Sequence, residues 1–263
     1  MLPAHAVERL TFVGIGTDGT QTMGKHLDKL IFRKVRDANL KYNLVEDGDR
    51  IVAAMSGGKD SFTMLYYLDL LRKYTPLRFD IVPLYLDLGW DNDITTQKAL
   101  CRELGMDLKV ESTNIGRVVF QERQEKNPCA LCSNLRRGSM NRIARELGCT
   151  KVALGHHLDD AVHTLFMSIL FEGRYRLFKP LTYLDRSGIT LIRPLIYVQE
   201  REIRSFIQSR NLEPVVNRCP ADNKTRRSEV SRLLDIMEEQ QPGIRRQFLA
   251  AIENVDQDSL WQS

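Results

Sequence analysis

The segment Ser56-Gly57-Gly58-Lys59-Asp60-Ser61 is equipped to hold a polyphosphate. Two consecutive glycines free the backbone to approach an anion and to take positive φ. Ser56 and Ser61 add hydroxyl donors. Lys59 adds a positive charge, expected to face solvent until a ligand arrives. Asp60 either holds Mg²⁺ beside the phosphates or caps a helix. The apolar run 51–55 before the glycines reads as a strand, and residues 62–68 after them as an amphipathic helix. Strand, glycine turn and helix start make a nest of N–H groups, which is an anion site. The spacing is not that of a Walker A loop, because the four-residue spacer before Gly-Lys-Ser is missing. The plainer alternative is an ordinary strand-turn-helix corner, which has little need of this residue set.

A second constellation is Gly155-His156-His157-Leu158-Asp159-Asp160. It follows a predicted strand over 151–154, which brings it to the same sheet edge as the Ser56 loop. Gly155 permits close backbone approach. Asp159 and Asp160 are placed to ligate Mg²⁺, to neutralise Lys59, or simply to favour a helix N-terminus. His156 is a candidate phosphate contact or proton carrier.

The third constellation is Cys129-Ala130-Leu131-Cys132, ahead of Leu135-Arg136-Arg137-Gly138. Such a pair, expected on one side of a turn, suits zinc, an iron–sulfur cluster or a redox disulfide. No second CxxC exists to complete a structural zinc site. Cys101, on an apolar helix face, and Cys149, after Gly148, read as small buried hydrophobes. Cys219, in the polar stretch Asn217-Arg218-Cys219-Pro220, reads as a third ligand, which leaves one coordination position open.

These groups need a frame. The chain has 263 residues and a net charge of +4, enough for one α/β domain with appendages and compatible with an RNA partner. Five cysteines argue for reduced thiols, metal binding or sulfur chemistry rather than a disulfide framework. No apolar run approaches a membrane span and no signal peptide precedes the first domain, so a cytoplasmic protein without membrane association is expected. Helices are predicted over 25–42, 95–104, 133–147, 157–171, 199–210, 224–240 and 242–254. Strands are predicted at the apolar run before the glycines and over 79–86, 107–111, 151–154 and 189–192. The alternation implies a parallel sheet covered on both faces, with its ligand at the carboxyl ends of the strands. The expected division is a flexible leader (1–23), an N-terminal helical segment (24–50), a nucleotide-binding domain (51–212) and a C-terminal segment carrying Cys219 and two helices (213–263).

The string SGGKDS resembles the pyrophosphate loop (PP-loop) of the ATP pyrophosphatases. The ordered set SGGKDS, CxxC with LRRG, GHHLDD, Ile192-Arg193-Pro194-Leu195 and a late lone cysteine is similar to the TtcA family of tRNA 2-thiocytidine synthetases. The likeness spans about residues 40–255. It implies a Rossmann-like fold of the adenine nucleotide alpha hydrolase kind, a parallel sheet with helices on both faces, plus a short N-terminal helix and C-terminal helices. It implies an enzyme, a sulfurtransferase that turns ATP into AMP and pyrophosphate while thiolating a tRNA cytidine. Carried over, Cys129, Cys132 and Cys219 match three ligands of a [4Fe–4S] cluster whose unligated iron carries sulfide. Ser56, Gly57, Gly58, Lys59, Asp60 and Ser61 match the ATP phosphate loop, and Lys59 and Asp60 join the cysteines as catalytic residues. Gly155, His156, Asp159 and Asp160 match the second nucleotide motif, with Asp60 and Asp160 on Mg²⁺. Asp87, ending the second strand, matches a position near the nucleotide.

The implied partners are tRNA, a sulfur donor such as a cysteine desulfurase or free sulfide, and a second copy in a homodimer. Arg136, Arg137, Arg226, Arg227 and the basic helix over 25–41 are candidate RNA phosphate contacts. The chain departs from better-known members in having Val216, Asn217 and Arg218, not a second cysteine, before Cys219. Its segment Gly89-Trp90-Asp91-Asn92-Asp93 replaces a basic, proline-containing loop. Related 2-thiouridine synthetases carry CxxC pairs at both ends, and lysidine synthetases need none. Two other readings remain: a cluster-free enzyme with a persulfide on Cys129 or Cys132, resolved by Cys219, and an ATP-dependent RNA-binding protein without thiolation activity.

Overall fold

The computed structural model describes residues 20–90, 92–123, 128–215, 226–256 and 258, with the backbone alone described at 20–25 and 226–227. Residues 1–19 and Cys219 lie outside the described residues, as do the leader expected over most of 1–23 and the loop around Cys219.

Six strands form one sheet in the order β3-β2-β1-β4-β6-β5. They are β1 (Arg50–Ala54), β2 (Asp80–Asp87), β3 (Lys109–Ser112), β4 (Lys151–Ala153), β5 (Leu181–Leu184) and β6 (Ile189–Ile192). β1 pairs in parallel with β2, Ile51 against Ile81, and with β4, Ile51 against Lys151. β4 pairs in parallel with β6, and β2 with β3. The sheet is not wholly parallel as expected. β5 runs antiparallel to β6, Leu181 opposite Ile192, as the first arm of a hairpin.

The helices are α1 (Thr20–Tyr42), α2 (Lys59–Tyr74), α3 (Thr95–Glu103), α4 (Ile115–Arg117), α5 (Pro128–Glu146), α6 (Leu158–Glu172), α7 (Glu200–Ser209), α8 (Arg226–Gln240) and α9 (Ile244–Glu253). α4 continues as a π-helical stretch over Val118–Arg123. α1 starts five residues before the predicted 25, and α5 five before the predicted 133.

β1 shows why both faces must be covered. Ile51 and Ala53 point to one side, Val52 to the other, and all three are fully buried. On the first side they pack with Ile31 and Val35 of α1, Phe62 and Leu65 of α2, and Ile203 and Phe206 of α7. On the second, Val52 joins Leu84, Val152 and Leu191 beneath Ile143 and Ala144 of α5. A side chain of this size, fully buried, contributes roughly 1.5–3 kcal/mol. A third cluster joins Leu158 and Val162 of α6 to Val230 and Leu234 of α8. Lys41 of α1 pairs with Glu253 of α9, which also accepts hydrogen bonds from Tyr42 and Tyr197. Both contacts hold the C-terminal helices to the main body.

Candidate active site

The Ser56 loop closes on itself before any ligand is considered. Gly57 takes φ +85°, a conformation that side chains resist. Gly58, expected to share that freedom, has φ −80° and ψ 162° and serves as the N-cap of α2. The cap position belongs to Gly58, so Asp60 does not cap α2. Ser61 Oγ donates to the Gly58 carbonyl (2.8 Å), and the Gly58 N–H donates to Ser56 Oγ (3.3 Å). The Ser61 and Phe62 N–H groups donate to the Gly58 carbonyl (3.1 and 3.3 Å), while those of Lys59 and Asp60, first in α2, have no partner within the helix and are left to the mouth of the loop.

Lys59 does not face solvent as expected. Its side chain is three-quarters buried, with Nζ 2.9 Å from Asp60 Oδ1 and 3.3 Å from Glu200 Oε1 on α7. Burial lowers its pKa, but the carboxylates of Asp60 and Glu200 more than offset that, so the net shift is upward. A permanently charged lysine is thus held in place by two carboxylates.

The second motif lies against the first. A Cβ on Gly155 would lie 3.0 Å from the Asp60 carbonyl carbon, so glycine lets the chain after β4 pass there without displacing the α2 backbone. His157 caps α6, and its N–H donates to Asp160 Oδ2 (3.1 Å). Its Nε2 lies 3.6 Å from Asp60 Oδ1 and 3.5 Å from Asp160 Oδ2. Burial lowers the His157 pKa, and Asp159, Asp160 and Asp60 together bring the net shift upward. Asp159 faces inward instead. Burial raises its pKa, but the His157 contact, the Glu200 N–H (2.7 Å) and Arg245 of α9 (2.9 Å) bring it down to about 2.

His156 turns the other way, its ring 5.1 Å from that of Phe178. Asp87 ends β2 as predicted and accepts the N–H of Gly89, which fixes the turn after the strand.

Cys129 and Cys132 lie in the first turn of α5, not on a turn, one exposed and the other half-exposed. Their three-residue spacing puts both thiols on one helix face. α5 leads down into β4, so its N-terminal end belongs to the carboxyl edge of the sheet, where the Ser56 loop sits. Cys101 and Cys149 are buried, as expected. Arg136 and Arg137 are exposed on α5.

Four contributors went unread in the sequence. Glu200 and Arg245 reach the site from 41 and 86 residues beyond Asp159. Gln97 of α3 is fully buried without a hydrogen-bond partner for its amide, and its Nε2 lies 2.7 Å from where a Gly57 Cβ would be. Val215 donates its N–H to the Gly57 carbonyl (2.8 Å). The one local signal is Glu200, an acidic residue in the first turn of the predicted helix over 199–210.

As for bound groups, two thiols on one accessible helix face fit a thiolate-held cofactor. Asp60 and Asp160 supply two carboxylates near one point. Among the described residues no three such side chains are arranged around a metal ion.

A mostly parallel sheet carrying a glycine-rich anion loop and an abutting GHHLDD turn defines a nucleotide-binding protein of the PP-loop kind. The chain belongs to the PP-loop domain family, whose pattern it matches over residues 29–235. Its relatives within that family are specific. It is 36% identical over 239 residues to the tRNA-cytidine(32) 2-sulfurtransferase of Geobacter metallireducens, covering 87% of this chain and 92% of that one. It is 36% identical over 251 residues to the enzyme of the same name from Pasteurella multocida, covering 91% and 79%. Among solved structures it is similar to the U34-tRNA thiolase NcsA from Methanococcus maripaludis with its [4Fe-4S] cluster, at a TM-score of 0.73 and 25% identity over 94% of this chain and 87% of that one. The resemblance to the tRNA 2-thiocytidine synthetases therefore holds across most of the chain.

Proposed function

We propose that this protein is an ATP-dependent tRNA sulfurtransferase that replaces O2 of a cytidine with sulfur. The observation that carries the reading is a complete phosphate loop at the carboxyl edge of the sheet together with an accessible cysteine pair on the helix end that the topology directs to that edge. The names of the relatives support the substrate.

ATP would lie with its phosphates on the N–H groups of the Ser56 loop. The base, taken out of its stack as base-modifying enzymes require, would present O2 to the α-phosphorus. The O2–P bond forms, the Pα–O bond to the β-phosphate breaks, and pyrophosphate leaves. Lys59 and the loop N–H groups stabilise the charge that builds on it. Sulfur then bonds to C2 and AMP departs with the oxygen. Cys129, Cys132 and Cys219 would hold a [4Fe–4S] cluster that supplies the sulfur. Asp60 and Asp160 would hold Mg²⁺ against the phosphates. Cys219 follows Val215 by four residues, so the chain from that anchor on the phosphate loop spans at most about 14 Å.

The remaining parts of the reading are a nucleotide-binding domain over 51–212 with a C-terminal segment over 213–263, a homodimer, a cysteine desulfurase or free sulfide as donor, and a cytoplasmic setting. No helix among the described residues is long and apolar enough to cross a membrane.

The test is anaerobic purification with iron and sulfide analysis, followed by mass spectrometry of tRNA nucleosides after incubation with ATP and sulfide. About four irons per chain and 2-thiocytidine in the tRNA are expected. Cys129→Ala, Cys132→Ala and Cys219→Ala should each lose both. Full thiolation by iron-free protein would establish the persulfide route instead. ATP and tRNA binding without any thiolation would leave an RNA-binding protein.

A further inference from the structure

Between α6 and β5 the chain carries Gly173-Arg174-Tyr175-Arg176-Leu177-Phe178-Lys179-Pro180, a stretch that the mechanism above does not use. Arg174, Arg176 and Lys179 are exposed along it. Around them stand three large aromatic rings with unusual exposure: Phe171 at 40%, Tyr175 at 56% and Tyr183 at 60%. No carboxylate lies between Gly173 and Leu184; of the two that flank the stretch, Glu172 pairs with Arg176 at 3.2 Å in full view of solvent, where such a pair is weak, and Asp185 is exposed in the turn beyond β5.

The strap is fixed from beneath. Arg193, only 6% exposed at the end of β6, lays its guanidinium over the Phe178 ring at 4.7 Å. It also donates through Nη1 to the Lys179 carbonyl (2.5 Å) and to Thr182 Oγ1 (3.3 Å). The other neighbour of Phe178 is His156 of the GHHLDD motif. These contacts tie Phe178 and the Lys179 backbone to the GHHLDD motif, and the exposed Tyr175 and Tyr183 flank that tied point, three residues before and five after Phe178. Exposed aromatic rings with interleaved cations suit unpaired nucleic acid, whose bases stack on rings while its phosphates meet arginine and lysine. An apolar protein partner has no use for the cations, and a folded acidic one has little for the rings.

The geometry points to the 173–180 strap and the adjoining edge strand β5 as the surface that receives an unpaired RNA segment next to the base being modified. This rests on the tRNA reading and adds where the RNA lies. The exposed arginines of α5 would then meet a different part of the same molecule.

The experiment compares the full chain with two variants, Tyr175→Ala/Tyr183→Ala and Arg174→Glu/Lys179→Glu, by fluorescence anisotropy. The probes are a tRNA transcript and a short unpaired RNA oligonucleotide, each over a range of salt. The aromatic variant should bind both RNAs about tenfold or more weakly with the salt dependence retained. The charge variant should bind weakly and with a shallower salt slope, by roughly two. ATP binding should be unchanged in both, which also reports that they fold. Should the double aromatic variant fail to fold, the single Tyr175→Ala and Tyr183→Ala changes are read in its place. Equal RNA affinity in all variants would overturn the proposal and leave the thiolation reading standing. So would a dimer that dissociates in the aromatic variant with tRNA affinity intact, since the rings would then serve self-association. No RNA binding by the unaltered chain would remove both.

Discussion

The phosphate-loop corner and the cysteine-bearing end of α5 belong to the same edge of one sheet, yet they are built to opposite standards. Behind the loop, every residue of α2 from Ser61 to Leu71 is buried. Lys59 is held by Asp60 and Glu200, and Asp159 by Glu200 and Arg245, before any ligand binds. In α5 the buried residues are Asn141, Ile143 and Ala144, so the cysteines ride on a helix end that the core does not grip. The contrast separates two ways of making a site. The nucleotide end is preorganised by packing, which avoids paying for order during the reaction. On the proposed reading, the cysteine end would gain further order from the group its thiols bind, since ligation and folding are coupled.

The largest effect that would expose this contrast comes from removing Arg245. Its guanidinium, with a side chain 9% exposed, joins Asp159 to Asp235 and so ties α9 to the nucleotide motif. Breaking a buried pair from one side costs about 3–5 kcal/mol. Arg245→Ala should lower the urea midpoint accordingly, and ATP affinity should fall as Asp159 loses its anchor. An unchanged midpoint would mean that the C-terminal helices merely decorate the domain.

Lys59→Ala should act more gently on stability and hard on chemistry. A charge-assisted bond to phosphate is worth about 1.5–3 kcal/mol, so calorimetry should show ATP binding weakened at least tenfold. AMP release should fall below detection. Cys129→Ala should leave ATP binding as it was, because the ion pairs that hold Lys59 and Asp159 come from α2, α6, α7 and α9, not from α5. If the cysteine variant weakened ATP binding as much as the lysine one, the two regions would be a single unit and the comparison would fail.

The same contrast governs what could be read in advance. β1, α2, β4 and α6 announce themselves, because glycines at 57, 58 and 155 punctuate apolar runs at the site itself. β5 escaped, being only four residues long, although the turn Asp185-Arg186-Ser187-Gly188 before β6 is a hairpin signal, with Gly188 at φ +65°. The helical stretch from Ile115 escaped because Gly116 argues against a helix. It is there for space, since a Cβ would lie 2.4 Å from the Leu88 carbonyl. Glu200, Gln97 and Arg245 could not be placed at all: their partners lie far along the chain, and no local period encodes such a meeting. The start of α5 was put too late because Pro128 and the CxxC pair look like a loop, whereas proline suits the first turn of a helix.

The smallest effect is a rate, and it reads the two kinds of cysteine directly. Burial, helped by Asp107, pushes the Cys101 thiol up to about 11, so at pH 8 about one part in a thousand is the reactive thiolate. Burial and Asp80 raise Cys149 against the pull of Arg50. Both are also shielded from reagent. Iodoacetamide at pH 8 should therefore alkylate Cys129 and Cys132 of the folded, iron-free protein while sparing Cys101 and Cys149 until denaturant is added, as peptide mass spectrometry would show. Rebuilding the cluster first should protect Cys129, Cys132 and Cys219 together, because one bound group would engage all three thiolates. Protection of the α5 pair with Cys219 still open would mean that the third ligand lies elsewhere, and the order of the sulfur end would then owe nothing to the C-terminal segment.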